Sequence, residues 1–283
     1  MRLMGEVAIN TISHILINNE LLFRFGSFMF ILLLMLGLER LIPCRPNTAK
    51  KTTRWIANLG MAALSILIIR LLSVLTLLLM PVAFALFLQD HRQGLFYWLD
   101  LGPFAAVFLT LLSLDLVIYG QHVAFHRVPI LWCLHRVHHT DVNLDATSGV
   151  RFHPLEILIS LLLKLLAIGL LGAPASGVIA FEIILNGTAL FNHSNIKLPK
   201  GLDQFLRFII VTPDMHRVHH SVFPAETNSN FGFNLPWWDR LFQTYRAQPL
   251  KGHLNMDIGL TDFPVEKKLT LPKLLILPFK KRP

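Results

Sequence analysis

The chain has 283 residues, of which 53% are hydrophobic and only 15% charged, whereas a water-soluble protein carries about a quarter charged residues. Its apolar residues fall in long runs, which excludes a large soluble core and points to a bilayer. The net charge is +9, from 26 Lys and Arg against 17 Asp and Glu; these cations flank apolar runs and form no basic face of a soluble fold, which sets nucleic-acid binding aside.

In chain order, the first apolar run spans about Leu21 to Leu38 and reads as a retained span, since no basic-then-apolar segment with a small-residue cleavage site precedes it. The second, about Asn58 to Leu88, exceeds the ~20 residues that cross a bilayer and must be tilted or broken near Pro81. The third runs from about Leu101 to Tyr119 and leads straight into His122. The last two, about Leu155 to Leu171 and Ala175 to Phe191, form a hairpin turning at Gly172, Ala173 and Pro174. Arg70, Lys164 and Glu182 are charges inside these runs. Lys164 and Glu182 each lie nine residues from Ala173, so the hairpin places them at matching depth, where they pair with each other or Lys164 snorkels to the interface.

The loop between the first two runs carries Arg40, Arg45, Lys50, Lys51 and Arg54 against Glu39 alone, so it is expected in the cytoplasm. Counting spans forward returns residues 122–153 and 193–283 to that side. Three regions follow: 1–121 with the N-terminal membrane segments; 122–250, a histidine-rich catalytic region including the hairpin at about 155–191; and a basic tail, 251–283. In that tail Lys280, Lys281 and Arg282 suit anionic lipid headgroups. Cys44 and Cys133 provide neither a disulfide framework nor a CxxC metal pattern.

Ten of the thirteen histidines lie between residues 122 and 220. His122 and His126 are spaced i, i+4, on one helix face. The pentapeptide His-Arg-Val-His-His occurs twice, giving His135, His138 and His139 and then His216, His219 and His220; His193 stands alone. The flanks of the pentapeptides differ, so they read as two half-sites of one centre. Neutral imidazole is a preferred ligand of iron, zinc and copper, and nine histidines exceed what one ion needs while suiting two. No Glu-x-x-His occurs, which excludes the soluble di-iron bundles, and no His-Glu-x-x-His, GxSxG or phosphate loop. A site rich in imidazole without an obvious carboxylate base suits oxygen chemistry better than hydrolysis.

These residues resemble the fatty acid hydroxylase and sterol desaturase superfamily of membrane di-iron oxygenases. The resemblance rests on the histidine set, on Arg54 to Leu59, Arg151 to Glu156 and Asn230 to Tyr245, and on the nine-residue step from His126 to His135, shorter than in acyl desaturases. It implies that His122, His126, His135, His138, His139, His193, His216, His219 and His220 are metal ligands, with two iron ions as cofactor and zinc accommodated by the same donors. One position is left to an amide such as Asn192 or Asn195, to water or to another histidine. His153 is either a ligand, a donor behind the ligands, or a helix-start residue before Pro154. Glu156 and Asp239 would orient ligand imidazoles, or Asp239 caps a helix. Trp237, Trp238 and Phe242 suit the lipid interface.

The expected fold is therefore all-α: a multi-pass membrane bundle of four to five hydrophobic segments with a cytoplasmic helical cap holding a histidine-rich di-metal site. The expected function is O2-dependent hydroxylation or desaturation of an unactivated C–H bond of a lipid, whether sterol, fatty acyl or ether lipid. Electrons come from a separate donor, since the chain shows no flavin, pterin or haem-binding segment. A zinc-dependent membrane hydrolase is a second reading, and a metal transporter or sensor a third, which would place histidines and carboxylates within the spans.

Overall fold

The computed structural model describes residues 11–263 and 269–280, and among these no β-strand forms beyond two isolated bridges. Lys281 and Arg282 of the basic tail lie outside the described residues. Five helices are long and apolar enough to cross a membrane: α1 (Glu20–Leu41), α2 (Lys51–Ser73), α4 (Pro103–Arg127), α6 (Pro154–Leu171) and α7 (Ala175–Asn192). Between α2 and α4 lies a ten-residue helix, α3 (Pro81–Asp90). Shorter helices carry the remaining histidines and their supports: α5 (Pro129–His139), α8 (Pro213–His219), α9 (Trp237–Leu241) and α10 (Leu271–Ile276). The chain is a multi-pass membrane protein.

Proline sets many of these boundaries. The long apolar run expected from Asn58 to Leu88 is broken: α2 ends at Ser73, Thr76 accepts a bond from the Leu78 N–H, and Pro81 starts α3, because a proline has no N–H to continue the preceding ladder. In contrast, α4 runs past the expected limit at Tyr119 to Arg127, carrying both His122 and His126 on one continuous helix. Val128, extended before Pro129, then bends the chain sharply into α5.

The hairpin turns where the residues indicate. Gly172 adopts φ 66° as the C-cap of α6, a conformation that costs glycine nothing. Gly94 sits directly against it, and a Cβ on Gly94 would fall 2.2 Å from the Gly172 nitrogen. α7 is the central helix, with 67% of its most apolar window buried against 11% for α1, and it packs against α1, α3, α4 and α8. The main apolar core joins α3, α4, α6 and α7 through Val82, Leu114, Ile118, Ile168, Val178 and Phe181.

Lys164 and Glu182 do pair, at 2.9 Å, and Arg24 of α1 binds the second Glu182 oxygen at 2.9 Å while also holding Glu20 at 2.6 Å. Arg24 and Asp115 are therefore two charges inside spans beyond those picked out above. The cluster ties three helices together and balances two cations against two anions, which a low-dielectric medium requires. Glu182→Gln should lower unfolding stability in detergent by about 3 kcal/mol, since it strands Lys164. The double variant Lys164→Met/Glu182→Gln should recover most of that loss, because Arg24 keeps Glu20; equal stability of all three proteins in a denaturant titration would show that the cluster ties nothing.

Candidate metal centre

All nine expected histidines meet at one end of the bundle, in two groups. His122, His126, His135, His139 and His219 form one, and His138, His193, His216 and His220 the other; within each, the ligand nitrogens lie within 4.8 Å of one another. The two pentapeptides are not two half-sites side by side. Each contributes to both groups: the i, i+4 pair His135 and His139 serves the first and His138 the second, while His216 and His220 serve the second and His219 the first. Neither group includes a carboxylate.

Four of the nine rings have an outer nitrogen fixed by an acceptor, while the Nδ1 atoms of His138, His139, His216 and His220 are buried without one. His122 Nδ1 donates to the Phe231 carbonyl at 2.7 Å, His193 Nδ1 to the Ala189 carbonyl at 2.8 Å, and His219 Nδ1 to the Ser229 carbonyl at 2.8 Å. His135 Nδ1 donates to Glu156 Oε1 at 2.6 Å. A neutral ring with its proton on Nδ1 turns a lone pair inward from Nε2. His122 Nε2 and His135 Nε2 therefore face each other at 3.1 Å as two lone pairs, an arrangement that repels unless a cation lies between them. His126 with His139, and His193 with His138 and with His216, repeat the spacing at 3.1, 3.0 and 3.1 Å. Two imidazole nitrogens bound about 2.1 Å from one ion at a right angle would be about 3 Å apart. The donor set thus fits two metal ions.

Burial keeps the rings neutral. It pushes His138, His139, His216, His219 and His220 well below the ordinary histidine range, with repulsion between neighbouring imidazoles adding to it. His193 is lowered to about 4, again by burial first. Gly149 allows this crowding, since a Cβ there would lie 2.4 Å from the Ala189 carbonyl oxygen.

The other singled-out residues take different places. Glu156 lies directly behind His135, with Oε1 at 2.6 Å from its Nδ1. His153 is not among the grouped ligands: it is the N-cap of α6, accepting from Leu155 N–H at 3.2 Å, and its Nε2 meets the Leu275 carbonyl. Asn195 grips the backbone of Arg45 through both side-chain ends. Asp239 binds the Phe231 and Gly232 N–H groups and the Thr244 hydroxyl, so it acts on His122 through the Phe231 carbonyl. Trp237 and Phe242 are exposed, while Trp238 donates to the buried Asp115 at 2.9 Å.

Sequence reading missed the layer behind the centre. Arg54 forms paired bonds to Asp141 at 2.6 and 2.8 Å and reaches Asp145 at 2.8 Å. Arg151 joins Asn58, Thr140 and the Val137 carbonyl. Burial alone would raise the Asp141 carboxyl, but the Arg54 guanidinium overrides it and holds the group well below the usual range. Two carboxylates directly after His139, in a chain with so few, were the available signal.

Residues 107–244, which contain all nine histidines, match the family model described as fatty acid hydroxylase. An ornithine lipid hydroxylase from Rhizobium tropici is 33% identical over 166 residues, covering 58% of this chain and 49% of the relative. A very-long-chain aldehyde decarbonylase from Oryza sativa is 30% identical over 59% of this chain and 28% of its own. An alkylglycerol monooxygenase from Xenopus tropicalis is 30% identical over 48% and 30%. The chain thus spans about half or less of the length of these relatives. No solved structure matches it.

Glu156→Gln removes the charge behind His135 and should weaken metal retention about 10–100-fold, measured by chelator competition; unchanged retention would mean that Glu156 orients nothing. A pH effect also follows. The folded state holds His193 neutral down to about 4 against an ordinary value of 6.5, so folded protein binds fewer protons than unfolded chain and stability rises with pH. Metal-depleted protein should therefore melt at progressively lower temperature as pH falls from about 6.5 towards 4. A flat profile would show that protons reach these rings freely.

Proposed function

We propose that this chain, which belongs to the fatty acid hydroxylase superfamily, is a membrane oxygenase that hydroxylates or desaturates an unactivated C–H bond of a lipid at a centre of two iron ions. The observation that carries this reading is the donor set: nine imidazoles, eight of them buried and His126 partly so, in groups of five and four, without a carboxylate in either. Such a set holds redox metals and offers no general base for hydrolysis. When bound, the iron pair supplies oxygen-activating chemistry.

The protein's own residues supply position and exclusion. Carbonyls of Ala189, Ser229 and Phe231 and the carboxylate of Glu156 aim the imidazoles, so that no reorientation is needed when charge changes at the centre. Phe125, Phe152, Phe231, Phe233 and Trp132 pack against the rings, keeping bulk water from a reactive oxidant. The substrate is a lipid, since the centre lies at the ends of spanning helices α4 and α7. Hydroxylation consumes one O2, two electrons and two protons per C–H bond and releases one water, and a separate donor delivers the electrons.

A cytoplasmic position for the centre is supported by the 42–50 loop, whose Arg45 bonds to Asn195, His253 and Met256 so that the loop shares the face of the centre. Arg45 and Arg54 are engaged internally there, leaving Arg40, Lys50 and Lys51 as the cations that favour the cytoplasm.

Purified protein should carry a pair of iron ions per chain, absent from a His138→Ala/His219→Ala variant that remains folded. With a reductant and O2, cellular lipid extracts should gain an oxygen atom or lose two hydrogens by mass spectrometry. Zinc as the resident metal, with lipid cleavage that needs no O2, would replace this reading with the hydrolase.

A further inference from the structure

Five aromatic side chains border the histidines, and they divide by which group they touch. Phe125, Trp132 and Phe231 contact only rings of the five-histidine group. Phe152 and Phe233 contact both. Phe152 stacks on His138 at 4.4 Å and lies 6.2 Å from His135; Phe233 lies 5.8 Å from His122 and 6.1 Å from His216. The two phenylalanines are 6.3 Å apart and both belong to the apolar core that fills the bundle.

On another side, Gly259 and the 271–277 segment cover the centre. Gly259 N–H binds the His220 carbonyl, Arg136 holds the Leu277 carbonyl, and Val137 packs against Leu274 and Leu277. Within the apolar core of the bundle, the Phe152–Phe233 pair is the aromatic surface that touches both groups.

Phe233 is also held with unusual completeness. Its own carbonyl accepts from Asn192 at 3.0 Å, Asn234 binds Thr188, Leu235 N–H binds Asp115, and Asp239 takes the N–H groups of Phe231 and Gly232. Two spanning helices thus spend buried polar groups on fixing one short loop. Such outlay is expected where a side chain must be placed to a fraction of an ångström. We propose that Phe152 and Phe233 are positioning residues that decide which carbon of the substrate chain is presented to the centre. This rests on the oxygenase reading above.

The test uses Phe152→Leu and Phe233→Leu, which keep an apolar core, and requires that both retain wild-type metal content and melting temperature. The positions oxidised in cellular lipid are mapped by fragmentation mass spectrometry. Each variant should shift the ratio of neighbouring positions about tenfold, the discrimination that a methylene-sized change in an apolar pocket gives. A second readout needs no turnover: 4-fluorophenylalanine at position 233 or 125 of metal-free protein, in vesicles of phosphatidylcholine with a nitroxide at the acyl-chain end. The fluorine signal should broaden at 233 and stay sharp at 125. An active wild type with identical product positions in both variants, or equal broadening at the two sites, would overturn the positioning role. A wild type that oxidises no lipid under any condition would instead overturn the oxygenase reading.

Discussion

Nine imidazoles packed into one end of a helical bundle must all be neutral, and each must turn its lone pair inward. Those two requirements govern the surrounding structure. Burial meets the first, because a protonated ring in this interior would forgo its hydration without a compensating anion. Fixed acceptors meet the second for four rings: carbonyls of Ala189, Ser229 and Phe231 and the carboxylate of Glu156 each take the outer proton of one. His122 and His135 thereby face each other with two lone pairs, and ring nitrogens of other histidines lie at the same spacing of about 3 Å, that of ligands around a common ion.

The membrane bundle makes this arrangement affordable in conformational terms. α4 and α7 are rigid spans that end at the centre, so His122, His126 and His193 are positioned by helices whose depth the bilayer already fixes. The same helices hold the loop from Asn230 to Leu235 through Asp115, Thr188 and Asn192. On the polar side, Arg54, Arg151 and Asp141 lock the turn at 146–150 to α2 and α5, where removing one partner would leave a buried charge uncompensated. The spans are therefore more than an anchor; their buried polar residues serve the centre.

Within the bilayer the same economy applies to charge. Arg24, Lys164, Glu182 and Glu20 neutralise one another across α1, α6 and α7, and one oxygen of Asp115 accepts from Trp238 and from the Leu235 N–H.

Much of this protein was legible in its sequence. Run length and hydropathy gave the spans; Gly172 and Pro174 gave the hairpin, and equal spacing from Ala173 gave the Lys164–Glu182 pair. Helical periodicity gave eight of the nine histidines, because i, i+3 and i+4 place side chains together whatever the rest of the chain does, and the lone His193 came from the family resemblance. These are local properties. Three other features were not local: the splitting of each pentapeptide between two groups, the pairing of Arg54 with Asp141 across 87 residues, and the route from Asp239 to His122 through the Phe231 carbonyl. Each depends on which distant backbone comes to lie beside a ring or a charge. The sequence by itself determined the membrane class and the candidate ligand histidines; only the tertiary structure decided how these histidines divide into two groups, since that depends on how separate helices pack around one buried centre.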